Sequence, residues 1–265
     1  MTLKSLTGKD AIIIVDRGNT AIFHSLEIAK KLGKTQVVIQ DQGAWLVYKQ
    51  YPKKIGLELI VLKTDYGLID AKTLAASIDK DSALLITSMA GYIAVQDMDA
   101  IYNICKKKGC LLINDITGTI GLKEGTVGDV LVCSFGEGKP LNYGKGGLIA
   151  ADNGLLDQVP IERFTLGDDF QQTLNNLKIR QDFFDKTNKT IKEDLKDFDI
   201  IHKKRRGINV AVKFNGDTTK QRIIYYCQKN NFKYRICKKV KNSLSSLFSF
   251  IKVNEDAVSI EVQEL

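Results

Sequence analysis

Apolar and polar positions alternate in two rhythms along the first part of the chain. Short runs such as "AIIIV" (11–15), "TQVVIQ" (35–40), "LELIVLK" (57–63), "ALLITS" (83–88), "CLLIND" (110–115) and "DVLVCSF" (129–135) are apolar on consecutive residues. That pattern predicts strands covered on both faces. Between them, "AIFHSLEIAKKLG" (21–33), a stretch reaching Ile55, and "DMDAIYNICKKKG" (97–109) repeat their apolar positions at helical spacing, and two of them end on glycine. Strand and helix in alternation predict a three-layer α/β arrangement around a mostly parallel sheet.

After Asp152 the texture changes. "LNNLKIRQDFFDKTNKTIKEDLKDF" (174–198) predicts a long polar helix that bridges two bodies. It is followed by a strand "INVAVKF", a helix "TTKQRIIYYCQKNNF" and strands "KYRIC", "FSFIKV" and "AVSIEV", a small α+β unit. Pro160 marks the change, so the expected division is a large α/β domain over 1–160, a helical connection over 161–204 and a small domain over 205–265.

Composition adds less. The formal charge of +8 gathers partly in "KKRR" (203–206) and "CKKVK" (237–241), which a solvated surface explains as well as a polyanionic partner. No zinc-finger spacing or aromatic RNA-binding motif accompanies the charge, so nucleic acid is not an expected partner. Five cysteines without C-x-x-C spacing, beside only two histidines, read as reduced buried thiols and not as a metal site. With no apolar run of membrane-spanning length and no secretory pattern at the start, the expected location is cytoplasmic.

Ligands of an open α/β sheet bind beyond the carboxyl ends of its strands. Those positions here carry Asn19 and Thr20 at a helix start, Trp45, Asp115, Ser134 and Lys139. Each has an ordinary alternative. Thr20 is either an N-cap or a phosphate ligand at a helix terminus. Asp115 caps a turn or pairs with a protonated ring nitrogen. Trp45 packs in the core or lies against a flat ring. Ser134 ends a strand or donates to a phosphate. Lys139, in a glycine-rich turn, is a surface cation or a desolvated nucleophile. Taken together the set has the make-up of a pyridoxal phosphate pocket.

The segment "GTVGDVLVCSFGEGKPLNYGKGG" (125–147) resembles the lysine segment of the DegT/DnrJ/EryC1/StrS family of fold-type I aminotransferases, whose pattern it fits without a gap. The resemblance implies that Lys139 forms the Schiff base with the cofactor and that Ser134 contacts its phosphate. "MDAIYNICKKKGCLLINDITGTIG" resembles the family's helix followed by "EDAAQALG", placing the pyridine-nitrogen aspartate on Asp115. "GNTAIFHSL" resembles "SGTAALHLAL", which puts Asn19 and Thr20 at the phosphate, and "QDQGAWLVY" puts Trp45 where a ring-stacking aromatic is expected. The implied protein is a fold-type I homodimer bearing pyridoxal 5'-phosphate. It transfers an amino group, usually from glutamate, to a keto acceptor such as a nucleotide-linked keto sugar, with Lys139 shuttling the proton and Asp115 stabilising the carbanion.

Departures fall on the substrate side. Family members carry tens of residues before the first strand, and this chain begins almost at it. Gly118 replaces the glutamine of "EDAAQA", "LGDDFQQ" (166–172) matches the family's "GYNYR" only loosely, and the carboxyl-terminal domain is short. Two other readings therefore stand beside transamination: a pyridoxal phosphate lyase, desulfurase or decarboxylase, and a non-catalytic binding protein on the same fold.

Overall fold

Both faces of the central sheet are covered, as the consecutive apolar runs require. A computed structural model describes residues 1–152, 154–240 and 252–263. A short helix α1 (Leu3–Thr7), closed by a capping box from Thr2, precedes strand β1 (Ala11–Val15). Then follow α2 (Gly18–Lys31), β2 (Gln36–Gln40), α3 (Val47–Ile55), β3 (Glu58–Leu62), α4 (Ala71–Ser77) and β4 (Ser82–Thr87). A small hairpin of β5 (Met89–Ala90) and β6 (Ala94–Val95) leads to α5 (Met98–Lys108), β7 (Leu111–Asp115), β8 (Val130–Ser134) and β9 (Gly147–Ala151).

The seven-stranded sheet runs in the order β1-β9-β8-β7-β4-β2-β3. All its neighbouring pairs are parallel except those of β9, which runs antiparallel to both β8 and β1. Strand residues alternate between two cores. Val37, Ile39, Leu85, Ile113 and Val132 pack under α2 and α3, whereas Val38, Leu84, Ile86 and Leu112 pack under α4 and α5. Leu131, Cys133, Leu148 and Ala150 face the start of a long helix, α6 (Phe170–Asp194).

Helix α6 begins four residues before "LNNL" because Phe170 is buried against the rings of Phe135 and Tyr143, at 5.1 and 5.2 Å. Its first half closes the large core with Leu174 and Leu177, and its second half supplies Phe184 and Ile191 to another core. That second core belongs to a three-stranded antiparallel sheet, β10 (Val210–Lys213), β12 (Ala257–Glu261) and β11 (Lys233–Cys237), covered by α7 (Asp217–Lys229). The helix read as polar because its buried stripe includes Arg180, Asn188 and Lys192. The strand expected at "FSFIKV" lies, apart from Lys252 and Val253, outside the described residues, as does Lys241.

One carboxylate ties the parallel strands together behind the sheet. Asp129 accepts the Leu112 amide at 2.8 Å, the Tyr102 hydroxyl at 2.9 Å and the Lys106 ammonium at 2.9 Å. Replacing it with alanine strands a ladder-end amide, so Asp129→Ala is expected to lose about 1–3 kcal/mol in urea unfolding. A loss below a few tenths of a kcal/mol would show that water replaces all three contacts.

Candidate active site

The carboxyl ends of β1, β2, β4, β7 and β8 open onto one cavity of about 350 Å³, lined by Asn19, Trp45, Thr87, Asp115, Ser134 and Lys139 among others. Five of the six residues singled out from the sequence therefore meet in one place. The sixth, Thr20, does not line it. Its hydroxyl donates to Asp16 Oδ1 at 2.5 Å and holds that carboxyl below its usual range. Thr20 is not the N-cap either, since α2 begins at Gly18 and Arg17 holds the cap position without a side-chain bond.

The start of α2 sits directly against the end of β8. A Cβ added to Gly18 would lie 2.6 Å from Ser134 Cβ, so only glycine permits this contact. The helix's first-turn amides and positive dipole end thus border the cavity beside the Ser134 hydroxyl. Asn19 has a further role there, since its Oδ1 accepts from Trp45 Nε1 at 2.9 Å. Trp45 is 47% exposed, which corrects the core-packing alternative; its indole forms a wall at the cavity mouth.

Asp115 ends β7 and is 9% exposed. Its Oδ1 accepts the Thr117 amide at 3.0 Å and the Thr117 hydroxyl at 2.5 Å, and its Oδ2 accepts the buried Tyr48 hydroxyl at 2.7 Å. With about two acceptor positions per oxygen, Oδ1 is filled and Oδ2 keeps one for a donor in the cavity. The Ser134 amide donates to Thr117 Oγ1 at 3.0 Å, which closes the chain of bonds across two strands. Tyr48 was invisible as a site residue in sequence, because on α3 it reads as one more apolar core position; burial and the Asp115 charge push its hydroxyl well above the usual tyrosine value.

Lys139 follows β8 in a turn whose carbonyls are held from behind. Arg180 of α6, itself 7% exposed, donates Nη2 to the Lys139 carbonyl at 3.1 Å and Nε to that of Pro140 at 3.0 Å. The Lys139 ammonium lies 5.0 Å from the centre of the Tyr92 ring and 5.8 Å from that of Trp45. Burial pushes its amine below the ordinary lysine value, against the opposing pull of Asp115. The loosely matched 166–172 segment reaches the same turn, where the Tyr143 hydroxyl donates to Asp169 and accepts from the Gly167 amide.

Sequence reading also missed the wall opposite the strands. Tyr92 holds φ +61°, and beside it Gly118 has no room: a Cβ there would lie 2.9 Å from Met89 Cβ and 3.3 Å from Tyr92 Cδ1. Arg235 and Glu261 of the small sheet and Lys252, which precedes β12, complete the lining, with Lys252 and Glu261 paired at 2.5 Å. Of the cysteines, all buried and free, Cys133 borders the cavity. Burial raises its thiol pKa, and its Sγ turns toward the Ser134 carbonyl.

The set fits pyridoxal phosphate: an amine of lowered basicity, a held carboxylate with one acceptor position left, an indole wall and a helix start closed on a serine. Removing the Tyr48 hydroxyl leaves the buried carboxylate short of a donor, so Tyr48→Phe is expected to cost about 1–2 kcal/mol in chemical denaturation. An unchanged midpoint would mean that Thr117 alone satisfies Asp115.

Comparison with known proteins agrees with this geometry. The curated relatives include a UDP-4-amino-4,6-dideoxy-N-acetyl-beta-L-altrosamine transaminase of Campylobacter jejuni, 33% identical over 117 residues, 40% of this chain and 30% of that protein. Another is a probable glycine dehydrogenase (decarboxylating) subunit 1 of Solidesulfovibrio magneticus, 24% identical over 155 residues, 54% of this chain and 35% of that protein. The chain thus matches about a third of the length of these curated relatives. Among solved structures, a DegT DnrJ EryC1 StrS aminotransferase from Brucella abortus has a TM-score of 0.74 at 16% identity, covering 98% of this chain and 83% of that one. The fold is that of the fold-type I pyridoxal phosphate enzymes. The model of the DegT/DnrJ/EryC1/StrS aminotransferase family matches residues 1–169, more than half of the chain, and the chain belongs to that family.

Proposed function

We propose that this chain is a pyridoxal phosphate-dependent aminotransferase. It takes an amino group from a donor, glutamate in this reading, and delivers it to a keto acceptor such as a nucleotide-linked keto sugar. The observation that carries the proposal is the meeting of Lys139 and Asp115 at the carboxyl ends of adjacent strands, in one cavity bordered by a helix start. Pyridoxal phosphate, when bound, supplies an electron sink and a carbonyl to carry the amino group.

The protein's own residues then have definite tasks. Asp115 Oδ2 would accept the ring N–H, while Tyr48 and Thr117 keep the carboxylate oriented. Ser134, Asn19 and the first-turn amides of α2 hold the phosphate; Thr20 acts on that end by holding Asp16. Trp45 covers one face of the ring. Lys139 Nζ would take the proton from the donor's α-carbon and deliver it to C4′ of the cofactor, a task helped by a basicity lowered through burial. Arg235 of β11 and Lys252, which is paired with Glu261, line the side of the cavity that would meet the donor's carboxylate.

We place the enzyme in the cytoplasm as a homodimer, and two observations support this. The cysteines are all free and buried, as a reducing compartment allows. Ile179, at 69% exposure, leaves apolar surface for a second copy. No helix among the described residues is long and apolar enough to cross a membrane.

The deciding experiment is an absorption titration with pyridoxal phosphate, followed by borohydride and peptide mapping. The expected result is a band absent from Lys139→Ala and a reduced adduct on Lys139, with glutamate then bleaching the band. An unchanged cofactor spectrum in the wild type would overturn the proposal. Because burial lowers the Lys139 basicity, the neutral amine gains population at lower pH than in free lysine. Adduct formation is therefore expected to rise through a midpoint below that of a model amine; a midpoint at or above it would contradict the desolvated site. Light scattering is expected to give twice the chain mass, and a monomer would remove the dimer from the proposal.

A further inference from the structure

A second concave site lies between α6 and the loop over 203–207, away from the active cavity and sharing none of its lining residues. It encloses about 420 Å³ and is lined by all four residues of the "KKRR" motif that the aminotransferase reading leaves without a task. Lys189 and Lys192 come from the helix, and Lys203, Lys204, Arg205 and Arg206 from the loop. The one carboxylate in its lining, Asp185, is already used, because Arg206 donates to it through Nε at 2.9 Å and Nη2 at 2.6 Å.

Among the described residues the remaining cations form no ion pair. Lys203 and Lys192 donate to backbone carbonyls, of Lys196 at 2.9 Å and Arg205 at 2.7 Å. Lys189, Lys204 and Arg205 have no acidic partner among the described residues. Lys192 is 9% exposed, an unusual place for an ammonium that has only a carbonyl to meet it. Burial alone pulls its pKa down to about 8.

The loop is also fixed in advance. Asn188 Nδ2 donates to the Ile208 and Asn209 carbonyls at 3.2 and 3.0 Å, and the Val95 amide donates to the Arg206 carbonyl at 2.8 Å. Gly207 is pressed so close to Ile93 that a Cβ would sit 2.0 Å from its carbonyl oxygen. A solvated charged surface needs neither a buried lysine nor a locked loop. A concave, preorganised, uncompensated cluster of this size suits a small anion bearing two linked phosphates.

We propose that the pocket formed by Lys189, Lys192, Lys204 and Arg205 is a binding site for a diphosphate-bearing small molecule, separate from the active cavity. A nucleic acid strand would use the exposed cations and gain little from the recessed Lys192, so the observations favour the small ligand.

The test is calorimetric titration of inorganic pyrophosphate into the full chain with saturating pyridoxal phosphate present, which fills any phosphate cradle in the active cavity. The expected result is one site per chain, weakened roughly tenfold or more in Lys204→Ala/Arg205→Ala and in Lys189→Ala. These side chains are exposed, and circular dichroism of each variant is the check that it folds. Lys192→Met separates the buried cation from the exposed ones. Relative to that variant, wild-type affinity is expected to fall as pH rises through about 8, where Lys192 loses its proton. Pyrophosphate binding that is absent, or equal in wild type and the loop variants, overturns the site. Binding of a single-stranded oligonucleotide that the same variants abolish, without pyrophosphate binding, replaces the proposal with a polynucleotide surface. Since the readout is pyrophosphate heat and not cofactor absorbance, failure here leaves the aminotransferase proposal untouched.

Discussion

A carboxylate that is nine-tenths buried must be given donors, and the site is organised around that requirement at Asp115. The donors come from separate parts of the fold: Tyr48 from α3 on one face of the sheet, Thr117 from the turn after β7, and through Thr117 the amide of Ser134 on β8. Each donor fixes an element that also lines the cavity. Holding Asp115 therefore sets the relation of α3, β7 and β8 at the point where they converge, before any ligand enters. The reversed direction of β9 serves the same end, because it returns the chain alongside β8 and brings Gly147 against the start of α2, where a Cβ would meet the Cys133 carbonyl oxygen at 2.6 Å.

Lys139 depends on a second constraint, acting from behind. A lysine on a glycine-rich turn would ordinarily sample many positions, and its long side chain loses considerable entropy when held. Arg180 limits that freedom by binding the Lys139 and Pro140 carbonyls, while its own guanidinium lies 5.4 Å from the Phe184 ring. This makes α6 more than a bridge between two sheets. The helix that unites the two cores also fixes the backbone at Lys139, so a change in how α6 packs is felt at that lysine.

How much of this was legible follows from what kind of signal each residue carries. Strands buried on both faces announce themselves as consecutive apolar residues, so "ALLIT" and "CLLIN" located the sheet and its carboxyl ends. Asp115, Ser134 and Lys139 stand next to those ends in sequence, and a rule about strand ends finds them. Tyr48, Tyr92 and Arg180 do not. They reach the site through tertiary packing from a helix face, a tight turn and a helix forty residues downstream of Lys139, none of which leaves a local pattern. Thr20 differs in another way: it stands near a helix start as its sequence position suggests, and its hydroxyl donates to Asp16, four residues earlier, a bond that no spacing rule reveals.

The contrast between the two halves of the cavity extends that argument to function. The strand-end half keeps the residues that a pyridoxal phosphate site requires, and they satisfy one another. On the other half, the glutamine expected at position 118 is a glycine, and the space its side chain would need is filled by Met89 and Tyr92. A glutamine there could not be restored without moving Tyr92, whose φ of +61° places it in a conformation that a bulky residue adopts only when its surroundings hold it. Gly118 and Tyr92 are thus one exchange and not two independent losses. An aromatic ring beside Lys139 replaces an amide, which makes that wall more apolar and leaves hydrogen bonding to Arg235, Lys252 and Glu261 across the cavity.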